Sequence, residues 1–436
     1  MSRRDLLPGS ALPVAYFGFA HLGLATAFIL LAVEPELPGG YFLHPRMVAV
    51  VHLVTLGWIS GSILGAFYIV APLALGIPLP VGRADWSAWG AFTGGTVGMA
   101  THFWIGEYNG MVWSAGLVVG AIAWVAVRAV IGLPAAPVPW GIKLHVALAF
   151  GNIIAAGVLG AIVGLPRSRG LVGTLPLASV FAHAHLAAVG WVLMMVVGLA
   201  YRLLPMILPA KPPSERGIAT SGVLIEAGIV MVVTSLLLDG WWLPAGGLVV
   251  VLGLASFVRK VRHVVAERLP RPPVLPPRDW SAWQVHTAFL SLAGAAALGL
   301  VLTVLPAGSA QVTVAWIYGV AGLVGGLSQI VIGMQGRLVP MYAWSRAMAV
   351  RDGAPPERSA HSLISAPYAR AAFLAWTIGV PGLAWGLAGQ HAVLIRAASI
   401  ALAAGVITGG AYLRHLMRAA QGRGTVRSRG PLVPRV

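Results

Sequence analysis

The amino-acid sequence predicts an all-α membrane protein that crosses the bilayer with twelve transmembrane helices. Of its 436 residues, 58% are hydrophobic and only 9% are charged, and the mean hydropathy is +0.85. Soluble domains carry about 25% charged residues, so an ordinary soluble enzyme is excluded. The 55 glycines and 31 prolines interrupt long apolar runs instead of forming low-complexity tracts, which argues against disorder.

The predicted spans are apolar runs of about 20 residues, the length that a helix needs to cross the hydrocarbon core. Each run ends at a charged residue, a proline or a glycine, as at Glu34, Gly106 and Asp239. The first run follows a short polar segment and is long enough to span, so we expect no cleavable signal. In order, the spans are 13–33, 45–73, 86–105, 111–132, 140–164, 176–206, 217–238, 241–262, 281–304, 312–340, 365–388 and 391–416.

An internal repeat divides these spans into three units of four helices. The second span reads His-Leu-Val-Thr-Leu-Gly-Trp from His52, and the sixth reads His-Leu-Ala-Ala-Val-Gly-Trp from His185, an offset of 133 residues (185 − 52). The tenth span keeps a weaker copy of the glycine and proline pattern that follows this motif. Within a single polytopic domain, 1–436, the approximate repeats cover 13–132, 140–262 and 281–416.

The positive charges indicate the orientation of the spans. An even number of spans puts both termini on one side, and placing them in the cytoplasm leaves 25 of the 29 Lys and Arg residues on the inner side. The other four are Arg46, Arg167, Arg169 and Arg396. The net charge of +17 is therefore a topology signal and a contact with anionic lipid heads, and nucleic-acid binding has no support. We expect a multi-pass protein of a bacterial cytoplasmic (inner) membrane.

Histidine is the natural ligand for any metal or cofactor in this chain. The sequence contains no cysteine, which excludes disulfides, thiolate metal sites and covalent c-type haem. Eight of the twelve histidines fall within predicted spans or close to their ends. Intramembrane ionisable residues are functional candidates because an unpaired polar group in hydrocarbon is costly. Each of them could also be a neutral imidazole that bonds a neighbouring helix.

The rise of a helix, about 1.5 Å per residue, places these histidines in two layers. The outer layer comprises His52, His102, His183 and His185, and the inner layer comprises His21, His145 and His286. Residues two apart on a helix diverge by about 200°, so His183 and His185 are expected to serve two different pockets. The inner three form a second metal site only if the first helices of the three units approach one another.

A planar macrocycle bound between two helices needs axial imidazoles at matching depth and small residues that leave room for the ring. His52 and His185 satisfy the depth condition and are equivalent in the repeat. Acidic groups on the ring would point outward, toward Arg46, Arg167 or Arg169. Small residues that we expect to leave room are Gly57, Gly61, Gly65, Gly190 and Gly198.

The sixth span resembles a motif of a known family. His183-Ala-His185, followed by Gly190-Trp191 and Tyr201-x-Leu-Leu-Pro205, is similar to the His-x-His helix of the catalytic subunit of haem-copper oxidases, in particular the cbb3-type and nitric-oxide reductase branch. That resemblance implies twelve helices, haem b held by His52 and His185, and His183 as the ligand of a second haem. NnrS-type haem- and copper-containing membrane proteins are a further resemblance and agree better in length.

The chain departs from that family in its copper ligands. The family uses a His-His pair on helix seven, and this sequence has neither such a pair nor a histidine between 217 and 238. Copper is therefore possible but has no ligand set comparable to the family's. The resulting expectation is a protein that binds one or two haem b groups, in electron transfer or nitric-oxide- or oxygen-linked redox chemistry, with an electron-donor protein or quinol as partner.

Two other functions remain open at this level. Glu226 near the middle of the seventh span, together with the intramembrane histidines, is compatible with a proton-coupled membrane transporter. A haem carrier or assembly factor would use the same histidines but bind haem reversibly. Enzymatic turnover as a haem-dependent oxidoreductase, the substrate and the oligomeric state are not determined by these residues.

Overall fold

The computed structural model describes residues 9–37, 39, 42–168, 177–270, 279–350, 363 and 365–420, and within these ranges the long elements are all helices. The first six are α1 (Ala11–Val33), α2 (Pro45–Leu75), α3 (Arg83–Ile105), α4 (Met111–Gly132), α5 (Trp140–Ser168) and α6 (Leu177–Ile207). The second six are α7 (Ile218–Leu238), α8 (Leu243–Ala266), α9 (Trp280–Leu302), α10 (Ser309–Met348), α11 (Ala366–Ala388) and α12 (Ala392–Ala420).

Ten of these helices, within the described ranges, are long and apolar enough to cross a membrane. The two that fall short are α3 and α8, which coincide with the third and eighth predicted spans. Glycine, threonine and tryptophan make α3 less apolar, and the cations Arg259, Lys260 and Arg262 interrupt the last part of α8. The multi-pass membrane character is thus confirmed, and the count of twelve spans stays a prediction.

Helix boundaries agree with the predicted spans to within a few residues, with one larger difference. The tenth span was expected to end at Pro340, yet α10 continues to Met348 with Pro340 inside it. Proline removes one backbone donor but bends a helix more often than it ends one when neighbouring helices hold both sides. The end of α3 agrees with the predicted span, because Gly106 ends this helix with a φ of +71°, a conformation that glycine adopts without strain.

The first and last helices of the chain, α1 and α12, pack against each other, while the middle segments of α2, α6 and α10 contact one another. Close packing at the centre depends on small residues. A Cβ on Gly23 of α1 would lie 3.2 Å from the Cα of Gly57 on α2, so these two helices approach backbone to backbone. The indole rings of Trp58 and Trp191 are fully buried in this core.

A buried carboxylate joins α2, α3 and α4 at one end of the bundle. Asp85 Oδ1 accepts hydrogen bonds from the Tyr68 hydroxyl at 2.8 Å and from Trp124 Nε1 at 3.2 Å, and it pairs with Arg128. Its other oxygen accepts from the backbone N–H of Gly82 at 2.7 Å. Both oxygens of this carboxylate therefore have donors, as a buried charge requires.

Candidate functional site

The three central helices share an unusual backbone. Each contains a π-helical segment in its middle part, and these cover Leu53–Ser60 in α2, Leu186–Leu193 in α6 and Val320–Ser328 in α10. The first two begin one residue after His52 and His185. Such segments, with i→i+5 hydrogen bonds, are rare in proteins, but those that occur often lie at functional sites. They change the direction of the side chains that follow. Trp191 Nε1 donates to Ser60 Oγ at 3.1 Å and joins two of the segments.

His52 of α2 lies beside His183 of α6. Their ring centres are 6.4 Å apart and the ring planes are inclined by 21°. Phe103 of α3 covers His52, with ring centres 5.0 Å apart. On the α5 side, a Cβ on Gly160 would lie 2.8 Å from the His183 ring, so the absence of a side chain there makes room for that imidazole. The neighbour of His52 is therefore His183, whereas the repeat had suggested His185.

His185 faces away from this pair, toward α10. Its Nε2 lies 3.0 Å from the hydroxyl of Tyr318, and the two rings are nearly parallel, with centres 6.2 Å apart. His183 and His185 thus serve two different neighbours, in agreement with the divergence expected from their spacing. Tyr318 was not among the site residues predicted from the sequence. Its position, 133 residues after His185, was the available signal.

The tautomers of His52, His183 and His185 follow from their backbone contacts. Nδ1 of His52 lies 2.8 Å from the Val48 carbonyl oxygen, and Nδ1 of His183 lies 2.8 Å from that of Ala156. Nδ1 of His185 is 2.7 Å from the carbonyl oxygen of Phe181. A carbonyl oxygen only accepts, so Nδ1 carries the proton and Nε2 carries the lone pair. This is the arrangement that prepares an imidazole to bind a metal through Nε2.

The glycines that were expected to leave room for a macrocycle serve helix packing instead. Gly57 faces Gly23, Gly65 lies against Tyr16, and Gly190 lies against Asn152. A Cβ on Gly198 would collide with the Cβ of His145. That part of the sequence interpretation was wrong, because a glycine in a membrane helix is more often filled by a neighbouring helix than by a ligand.

The other two outer candidates have partners of their own. His102, at the end of α3, has its Nδ1 3.1 Å from the Glu107 carbonyl oxygen, and its ring lies where a side chain on Gly110 would go. Arg46 forms an ion pair with Glu34 at 2.8 Å and lies over the Trp104 ring. Arg46 is therefore already neutralised by a carboxylate. Arg169 lies outside the residues that the structure describes.

The three inner histidines have separate contacts. His145 is fully buried, with Nε2 3.1 Å from Ser221 Oγ. His21 meets the Trp58 ring edge to face at 5.0 Å, and His286 is exposed. In the described part of the chain, no group of three or more His, Cys, Asp or Glu residues is arranged to bind a metal ion. The inner metal site stays a prediction that these contacts do not support.

Glu226 of α7 has a partner that the sequence did not reveal. Asn152 of α5, which is 6% exposed, donates its side-chain N–H to Glu226 Oε2 at 2.8 Å. The amide of Asn152 also fills the space beside Gly190 of α6. A hydrogen-bonded carboxyl inside the bundle can stabilise helix packing, and it can also take part in proton transfer.

Comparison with known proteins adds no family to this description. No protein-family model matches the chain, and no curated protein matches it at a significant level. The fold defines the class of protein: a multi-pass membrane protein whose candidate spans are all helical. Its most distinctive site is the group formed by His52, His183, His185 and Tyr318 on the three central helices.

Proposed function

We propose that this chain is a haem b-binding integral membrane protein that transfers electrons. The observation that carries the proposal is the His52–His183 pair, on two different helices with their ring centres 6.4 Å apart. Two imidazoles bound on opposite sides of one metal ion have their ring centres about 6 Å apart, since each metal–nitrogen bond is about 2 Å long. His52 and His183 are therefore the residues that would hold the haem iron, in place of His52 and His185.

The chemistry of the donors fits this group. Both imidazoles donate Nδ1–H to a backbone carbonyl, which leaves each Nε2 able to bind iron. Haem b, when bound, would supply one-electron redox chemistry. The protein's part is to fix the two rings, to exclude water with Phe103 and to keep the site inside an apolar bundle. An electron-donor protein or a quinol is the proposed partner, in a bacterial cytoplasmic membrane.

The same proposal includes the relationship to the haem-copper oxidase subunit and its three four-helix units. It is supported by the three π-helical segments, of which Leu53–Ser60 and Leu186–Leu193 are offset by 133 residues, and by their mutual contacts. Twelve spans with both termini in the cytoplasm complete this arrangement. Copper is left out of the proposal because the sequence contains no His-His pair.

The decisive experiment is an absorption spectrum of the dithionite-reduced protein after expression with a haem supply. Wild type should show a Soret band and the sharp visible bands of bis-imidazole haem b. His52→Ala and His183→Ala should each remove that spectrum, whereas His286→Ala, which changes an exposed histidine, should keep it. A colourless wild type, or full retention of the spectrum in both ligand variants, would overturn the proposal.

A proton-coupled transporter is the second candidate, and the Asn152–Glu226 hydrogen bond is the observation that favours it. It predicts a colourless protein that accumulates substrate in liposomes when a proton gradient is imposed. A haem carrier or assembly factor would instead take up haem and release it to an acceptor such as apomyoglobin. The absorption spectrum distinguishes the transporter from the haem protein, and the rate of haem release distinguishes the haem carrier from it.

A further inference from the structure

A second candidate site lies at the end of the bundle where α6 ends and α5 and α7 begin. A cavity of about 120 Å³ opens there. Its walls are mostly apolar, and one arginine, Arg202, reaches into it. In the described part of the chain, no acidic side chain lines it. Other lining residues are Pro139, Ile142, Met206, Pro213 and Ile218.

In the part of the chain that the structure describes, one hydrogen bond holds Arg202 in place. Its Nε donates to the carbonyl oxygen of Ala74, near the end of α2, at 2.8 Å. Among the described residues, its two terminal guanidinium nitrogens have no partner. The side chain is half-buried, so these four N–H groups carry a positive charge at an apolar wall. A charge in such a place is costly unless an anion accompanies it.

The backbone adds positive charge to the same cavity. Ile218 is the first residue of α7, and its N–H donates to the Glu215 carbonyl oxygen at 3.2 Å. No side chain caps the N–H groups that follow it. Pro139 directly precedes α5, and a Cβ on Gly141 would lie 2.6 Å from the backbone nitrogen of Ala219, so the two helix N-termini touch. Helix N-termini attract anions through their free N–H groups. The opposing end of α6 is partly neutralised, because the Pro205 carbonyl accepts from the Ala210 N–H at 3.0 Å.

We infer that this cavity binds a phosphate group and that an anionic membrane lipid supplies it. A fixed guanidinium and helix N-termini are the donors that bind phosphate in proteins. The lipid is the favoured source because the cavity lies at the ends of membrane-spanning helices. Met206, which is 41% exposed, offers an apolar surface beside it for the acyl chains. This site is independent of haem and lies on the end of the bundle predicted to face the cytoplasm.

The test compares lipid binding by matched charge variants of the full chain. The protein is purified from mixed phosphatidylglycerol and phosphatidylcholine, and the retained lipids are counted by native mass spectrometry. Wild type should retain one phosphatidylglycerol in preference to phosphatidylcholine. Arg202→Gln should weaken that retention about tenfold, since it removes a charge-assisted contact. Arg259→Gln removes an exposed cation from the same end of the bundle and should leave retention unchanged.

A second variant keeps the Arg202–Ala74 bond intact. Met206→Glu places a negative charge at the cavity and should also release the lipid, although Met206 is too exposed for its side chain to be needed for folding. A parallel experiment measures thermal stabilisation of the same variants by inorganic phosphate. Thermal stabilisation by phosphate that depends on Arg202, without retained lipid, would assign the site to free phosphate and overturn the lipid as the source. Equal lipid retention by wild type and Arg202→Gln, or equal loss in Arg202→Gln and Arg259→Gln, would overturn the site itself.

Discussion

The hydroxyl of Tyr318 donates a hydrogen bond to Nε2 of His185, at 3.0 Å, across the contact between α10 and α6. The direction is fixed because Nδ1 of His185 already carries its proton toward the Phe181 carbonyl. Tyr318 lies 133 residues after His185, the same interval that separates His185 from His52. In the third unit of the proposed repeat, a tyrosine thus lies within two residues of the position that a histidine occupies in the first two.

Removing the Tyr318 hydroxyl should destabilise the bundle. Tyr318→Phe keeps the ring but leaves Nε2 of His185 without its donor, which should lower the free energy of unfolding by about 1–2 kcal/mol. Thermal unfolding in detergent measures the change. Tyr368→Phe is the matched control, because Tyr368, near the start of α11, is 40% exposed. Equal stability of Tyr318→Phe and wild type would show that the hydrogen bond contributes nothing.

The backbone contact between α1 and α2 should not tolerate a methyl group. Gly23→Ala places a Cβ 3.2 Å from the Cα of Gly57, so the helices must separate, at a cost of about 1–3 kcal/mol. Gly116→Ala on α4 meets nothing within 4 Å and should be neutral or stabilising by up to about 1 kcal/mol. Unfolding temperatures of the two variants test the contrast. A similar loss in both would mean that helix propensity, and not the close approach, controls the result.

The positions of the helices follow from the sequence because apolar length is a local property. Even the offset between His52 and His185 is visible as a repeated string of letters. Which histidines face each other is different, because it depends on the rotation of α2 and α6 about their axes. Each π-helical segment also shifts the side chains that follow it, and rules based on 3.6 residues per turn do not include that shift.

The candidate site illustrates the same limit. The spacing separated His183 from His185, in agreement with their different neighbours. The repeat paired His52 with His185, whereas the ring beside His52 is that of His183. Repeat symmetry favoured His185, whereas the packing of α5, with Gly160 beside the His183 ring, brings His183 to His52. Tyr318 was not predicted because its contact with His185 depends on how α10 packs against α6. Its interval from His185 was present in the sequence.

Two ion pairs in the chain should differ strongly in their contribution to stability. The Asp85 side chain is 3% exposed and is bonded by Arg128, Tyr68 and Trp124. Asp85→Asn would leave the half-buried Arg128 without its counter-charge, and we expect a loss of about 3 kcal/mol. Glu34 and Arg46 are 40% and 44% exposed, so Glu34→Gln should cost less than about 1 kcal/mol. Denaturation of both variants at low and high salt measures the two losses of stability. Equal losses would contradict the prediction that the two ion pairs differ.

Variants of the hydrogen-bonded pair Asn152 and Glu226 test whether the Glu226 carboxyl stabilises the fold or carries protons for transport. Asn152→Ala removes the donor and opens a gap beside Gly190, so unfolding should become easier by about 2 kcal/mol. Glu226→Gln preserves an oxygen that can accept from Asn152 and should cost less than about 1 kcal/mol. If the carboxyl is structural, Glu226→Gln also keeps the haem spectrum of wild type, because α7 supplies neither His52 nor His183. If the chain is a proton-coupled transporter, the same variant folds normally but loses proton-driven uptake in liposomes, since an amide cannot release the proton.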